Sequence, residues 1–157
     1  MNKDALLPKR TGKESRKGTA SARELARHAV EAALEKKAHN LAVMDVRKVS
    51  GVADYFVMCT GDVDLHLKAI VEAVRERIRE RCQERPWHVE GYDHLQWVLL
   101  DYVDVVVHVF LEEKRNFYSL ERLWGDAPIE YVPDDADEAD VKLLQDPSSP
   151  RTPASGA

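Results

Sequence analysis

A chain of 157 residues with 44% hydrophobic and 32% charged side chains has room for one domain of roughly 100–150 residues and is too apolar for wholesale disorder. Its formal charge of −5, from 23 Lys and Arg against 28 Asp and Glu, excludes a protein held on RNA or DNA mainly by a basic surface. No apolar run approaches the ~20 residues that span a bilayer, no signal-type hydrophobic segment follows Met1, and the two cysteines, Cys59 and Cys82, are too few and too far apart for a disulfide scaffold or a paired metal motif.

Charge is unevenly placed. Near the start, Lys3, Lys9, Arg10, Lys13, Arg16 and Lys17 outnumber Asp4 and Glu14, and no apolar periodicity accompanies them. Residues 1–20 therefore read as a mobile basic tail. Ser21 and Glu24 then form an S-x-x-E capping box. Leu25, Ala29, Val30, Ala33 and Leu34 follow at three- and four-residue spacing, which predicts an amphipathic helix over about 22–38. Leu41, Val43 and Val46 suggest a short strand, and Ser50-Gly51 a turn. The run YFVMCT at 55–60 is apolar on both faces, as in a strand buried on both sides.

From 62 to 84 the period becomes helical, with Leu67, Ile70, Val71, Val74, Ile78 and Cys82 on one stripe. Glu72–Arg75, Glu76–Arg79 and Arg77–Glu80 pairs are expected on the opposite face, and Asp62 is expected to cap the helix start. Pro86 ends the helix, and residues 87–90 form a short strand candidate. After a polar turn over 91–96, residues 97–101 and 105–111 predict two strands paired as an antiparallel hairpin. Residues 112–116 read as a turn into a last helix over 117–124, stopped by Gly125. The six acids of 133–157 and the final PSSPRTPASGA make 131–157 a disordered tail, acidic and then rich in Pro and Ser. The domain proper is thus 21–130, an α/β fold with a mixed β-sheet flanked by helices.

Signs of catalysis are weak. Only Gly61 stands before a helix, with neither GxGxxG nor GK[ST] around it. Cys59 and Cys82 lie within apolar patterns and read as buried hydrophobes, and His108 as a sheet histidine among valines. Asp62 and Asp64, with Asp101 and Asp104, could together hold Mg2+ as a metal-dependent nucleotidyltransferase does; helix capping and hairpin closure explain the same residues without a ligand. No cofactor site is expected.

A protein-binding surface is better supported. By strand alternation Trp97, Leu99 and Asp101 share one face, and Val98, Leu100 and Tyr102 the other. With Val98 and Leu100 in the core, Trp97 and Leu99 point outward, rimmed by Glu90, Asp93 and Lys114, as an interface hot spot requires. Burial of Trp97 beneath a helix satisfies the same period.

DVRKVSGVADYFVMCTG (45–61), LKAIVEAV (67–74), VEGY (89–92), WVLLDYVDVVVHVF (97–110) and FYSLERLWGDAP (117–128) resemble, in order and spacing, the Iojap-like ribosomal silencing factors. The resemblance covers about 21–130. It implies a core similar to a degenerate nucleotidyltransferase, no enzymatic activity, and no cofactor. It also implies binding to the large ribosomal subunit through its L-fourteen protein, a steric block to small-subunit joining, and repression of translation under nutrient limitation. Homodimers through much the same surface are implied as well. Carried over position by position, it places Gly91 and Trp97 at the ribosomal-protein contact, with Leu99, Asp101 and Lys114 nearby. The head, with two acids and few apolar residues, makes a poor amphipathic transit peptide, so a bacterial cytoplasm is expected. Asp54 matches the family as a structural residue. Relatives carry Gly in the hairpin turn; here Val103, β-branched, predicts a turn of another type. Relatives also follow CTG with small hydroxyl and basic residues, where this chain has Asp62-Val63-Asp64-Leu65-His66. The Gly-Ser that precedes the acids of active nucleotidyltransferases is missing from the core, so that chemistry is expected to be lost.

Overall fold

The computed structural model describes residues 20–136 and 141–145; of the tails expected over 1–20 and 131–157, residues 1–19, 137–140 and 146–157 lie outside the described residues. Helix α1, Ala22–Glu35, begins where the capping box places it, with Ser21 Oγ accepting from the Glu24 amide at 3.1 Å. Such a cap contributes about 1 kcal/mol. Leu25, Ala29 and Val30 are buried, and the chain leaves the helix through a left-handed Lys37. Strands β1 (His39–Asp45) and β2 (Tyr55–Gly61) follow, the second buried along its whole length. Helix α2, Asp64–Cys82, buries the predicted stripe; each fully buried Ile or Val stabilises by roughly 1.5–3 kcal/mol. It stops at a left-handed Gln83, three residues before Pro86.

Strands β3 (His88–Glu90), β4 (Trp97–Asp101) and β5 (Val105–Leu111) complete one side of the sheet. The strand order is β3-β4-β5-β2-β1 followed by β6, Ile129–Val132. Among the described strands only β2 and β5 run parallel, from Tyr55↔Val105 to Gly61↔Leu111; the β4–β5 hairpin is antiparallel as expected. This is the mixed α/β sheet anticipated from the pattern. Tyr55, Val57, Cys59, Val98, Leu100, Val107 and Val109 face α1 and α2. Phe56, Met58, Leu99, Val106 and Phe110 face the opposite way, toward Leu120 and Trp124.

The C-terminal elements differ from expectation. Residues 112–116 are helical: α3 spans Glu112–Tyr118, breaks at Ser119 (φ +42°), and a single turn α4, Leu120–Leu123, follows. The polar composition of 112–116 hid a helix whose one fully buried side chain is an arginine. The chain also keeps its structure past residue 130. β6 adds to the sheet edge, and a short 3-10 helix, Lys142–Leu144, buries Val141 and Leu144 in the α1-side core. Glu130 accepts from the Lys142 and Leu143 amides at 3.0 and 3.1 Å, so a carboxylate just before the acidic segment caps its short helix.

Surface charges rearrange too. Of the three ion pairs expected along α2, Glu76–Arg79 forms at 2.6 Å, while Arg77 crosses to Glu31 and Glu35 of α1 at 2.5 and 2.6 Å. Asp62 does not cap α2, whose N-cap is Val63; it faces His39 Nε2 at 3.0 Å instead.

Candidate protein-binding surface

Trp97 opens β4 on the face away from α1 and α2. Its ring stacks on Phe110 (centroids 4.9 Å, 26°) and tilts against Tyr118 at 4.6 Å. Its Nε1 donates to His108 Nδ1 at 3.1 Å. The indole is partly buried: one flank belongs to the second core and the other meets solvent. Next along is Phe117, T-shaped to Tyr118 at 5.1 Å and 75% exposed. Lys114 lies one helical turn before this pair and is partly exposed. Phe110, Trp97, Tyr118 and Phe117 therefore form a continuous aromatic row from the sheet core out to water.

Arg115 holds α3 in place. Its guanidinium, 5% exposed, donates to the Asn40 carbonyl and to Thr60 Oγ1 (3.2 Å), and pairs with Glu121 at 3.6 Å. Two strands and α4 thus converge on one side chain of α3, and Phe117 is left on the outer side.

The five residues singled out from the sequence take different parts. Trp97 and Lys114 reach the surface. Leu99, 4% exposed, packs in the core beneath, so the expected outward orientation fails for it because the second face is covered by Leu120 and Trp124. Asp101 is wholly buried rather than at a rim; its Oδ1 accepts from the Val103 amide at 2.8 Å. That bond supports an unusual turn. Val103 adopts φ +73°, the Asp104 amide donates to the Tyr102 carbonyl at 2.9 Å, and so the turn has the positive φ expected of glycine despite the β-branched side chain. Gly91, at φ +80°, lies against β4 so closely that a Cβ there would stand 1.9 Å from the Trp97 carbonyl oxygen. It shapes the approach to Trp97 through the backbone.

Trp87 is 57% exposed, but its amide donates to the Asp101 carbonyl, placing it at the far end of β4 from Trp97. The four aspartates of the enzyme reading also separate. Asp104 precedes Val105, which pairs with Tyr55, whereas Asp62 follows Gly61 at the other end of β2. Six strand rises, about 20 Å, lie between those ends, beyond any shared metal ion. Among the described residues no three His, Cys, Asp or Glu side chains group as metal ligands.

At the Asp62 end, His39 sits between two carboxylates, Asp62 at 3.0 Å and Asp134 at 3.3 Å. Hydrogen bonding to Asp134, and then to Asp62, raises its pKa above the usual histidine value. His108 is the opposite case: complete burial pushes its pKa down to about 3. Cys59, buried in β2, is pushed up to about 12 and is an inert thiol at neutral pH.

Phe117, Tyr118, Arg115 and the His108 contact were not picked out from the sequence. One signal was there: two adjacent aromatics on a helix lie about 100° apart, so both cannot face the core.

Comparisons with known proteins agree with this architecture. The ribosomal silencing factor RsfS of Halalkalibacterium halodurans is 40% identical over 108 residues, covering 69% of this chain and 92% of that protein. The RsfS of Bacillus subtilis is 40% identical over 95 residues, 60% of this chain and 80% of that protein. A crystal structure from Chromobacterium violaceum superimposes with a TM-score of 0.65 at 31% identity, over 68% of this chain and 88% of that one. Residues 19–156 match the family described as ribosomal silencing factor during starvation, and the chain belongs to that RsfS family.

Proposed function

We propose that the protein binds the large ribosomal subunit through its subunit-interface protein, L-fourteen, and by covering that face keeps the small subunit from joining, so repressing translation under nutrient limitation. What supports this, beyond family membership, is the aromatic row ending in Trp97 and Phe117 beside Lys114, a half-wet apolar patch on a rigid sheet and helix. Trp97 is the anchor, Phe117 widens it, and Lys114 supplies rim polarity. Leu99, Gly91 and Asp101 hold the patch from beneath and beside it. Steric exclusion needs no catalytic step and no cofactor, only an interface of roughly 1,200–2,000 Å² with one or two buried anchors. Residues 19–132 carry an excess of acids, which suits a basic ribosomal protein better than rRNA and aids encounter. The same patch serves self-association as a homodimer when the subunit is absent. No helix among the described residues is long and apolar enough to cross a membrane, and the proposed site of action is the bacterial cytoplasm.

Sucrose-gradient co-sedimentation tests this directly. The protein is expected to migrate with large subunits and to reduce formation of joined ribosomes. Trp97→Ala is expected to weaken binding by about 2 kcal/mol or more, roughly 30-fold. Because Trp97 also packs on Phe110 and Tyr118, this variant loses some stability as well, and Trp97→Phe separates the two effects. Absence of wild-type protein from the large-subunit fractions at every salt concentration refutes the proposal.

A further inference from the structure

His108 is an odd side chain at its position. It lies in β5 between Val107 and Val109, paired with Leu99 on one side and Met58 on the other, and is wholly buried. An aliphatic residue would fit the strand pattern without a polar group to satisfy. The indole Nε1 of Trp97 is a donor only, so the His108 Nδ1 that receives it must be the unprotonated nitrogen. The proton therefore sits on Nε2, which has no hydrogen-bond partner among the described residues. Phe56, nearly perpendicular at 5.0 Å, and Phe110, stacked at 6.0 Å, enclose the ring. A buried, half-satisfied imidazole lowers stability relative to an apolar residue of similar size. Its one satisfied atom goes to the side chain proposed as the anchor.

We infer that His108 is a positioning residue: Nδ1 fixes the Trp97 indole in the orientation that a docking protein meets. This rests on the proposal that Trp97 is the anchor. The physical gain is pre-organisation. An indole otherwise held only by ring contacts with Phe110 and Tyr118 could turn about its side-chain bonds, and that freedom would be lost on binding. Burial first, and then the positive charge of Arg115, disfavours the imidazolium. The ring is thus neutral near neutral pH, where Nδ1 is free to accept.

Two variants separate positioning from packing. His108→Phe keeps an aromatic ring, somewhat larger, and removes the acceptor. His108→Asn keeps an oxygen close to the Nδ1 position and loses volume. His108→Phe is expected to melt no lower than wild type, to shift the Trp97 indole N–H resonance (assigned with Trp97→Phe), and to bind large subunits about tenfold more weakly. His108→Asn is expected to melt lower, to leave that resonance close to its wild-type position, and to bind within about threefold of wild type. An unchanged indole resonance in His108→Phe overturns the inference. So does affinity that simply follows melting temperature across both variants, which is what a purely structural histidine would give. If wild-type protein fails to bind large subunits, the functional proposal falls, and the inferred role in docking falls with it; the resonance still shows whether the bond orients the indole.

Discussion

Gly91 offers the most stringent test of the geometry, because the structure adds a close backbone approach to the contact expected of it from the sequence. An alanine there would place Cβ 1.9 Å from the Trp97 carbonyl oxygen, 3.1 Å from its carbonyl carbon and 3.5 Å from the Val98 Cα. The first distance is about 1 Å short of any that real Cβ atoms keep, and the obstructing atom is strand backbone rather than a flexible side-chain tip. The φ of +80° adds about 1–2 kcal/mol for an L-residue. Forcing β4 away adds roughly 1–3 kcal/mol more, by analogy with overpacked cores. Gly91→Ala is therefore expected to cost about 2–5 kcal/mol and to lower the melting temperature by roughly 10 °C. Gly51→Ala is the control: no atom lies within 4 Å of its Cβ and its φ is unremarkable, so its melting temperature should match wild type. Thermal denaturation followed by circular dichroism measures both. Equal melting temperatures for the two variants would refute the close approach. A stable Gly91→Ala protein that lost only binding would return Gly91 to the role of a direct contact.

Three further expectations follow from other parts of the surface. Phe117→Asp should leave stability within about 0.5 kcal/mol, since the ring is 75% exposed, yet weaken large-subunit co-sedimentation about tenfold; unaltered binding would remove Phe117 from the interface. Arg115→Met should cost about 2–4 kcal/mol in denaturant titration, because the Asn40 carbonyl, Thr60 and Glu121 all lose their buried partner; a change below 0.5 kcal/mol, taken as roughly the effect of a surface substitution, would show that α3 is held otherwise. His39 has a raised folded-state pKa, so its contribution is complete below about 6.5 and is lost as pH rises through the folded value. At 41% side-chain exposure it is worth at most about 0.5 kcal/mol. Wild type should therefore lose slightly more stability than His39→Asn between pH 6 and pH 8.5, and parallel profiles would contradict the carboxylate clamp.

Local chemistry was readable where it is self-contained. The Ser21 cap, the buried stripe of α2, the doubly buried β2 and the 97–111 hairpin all follow from side-chain spacing, because capping, helical period and strand alternation act between residues close in the chain. The place of Trp97 on the face opposite Val98 and Leu100 was legible by the same alternation. What distance along the chain conceals, only tertiary packing decided. Leu99 and Asp101 share the Trp97 face, yet Leu120 and Trp124 cover one and the Val103 turn absorbs the other. Residues 112–116 look like a turn until Asn40 and Thr60 supply partners for Arg115, whose charge can then be buried. The segment after 130 looks too acidic to fold until Glu130, just before it, takes the 142 and 143 amides and Asp134 pairs with His39. Its apolar residues, too few to make a core alone, fold by joining one already built by α1 and the sheet. The negative charge shows the same division. Composition excluded a basic nucleic-acid binder, while the fold decided that some acids cap backbone, some clamp a histidine, and one, Asp101, never reaches the surface at all.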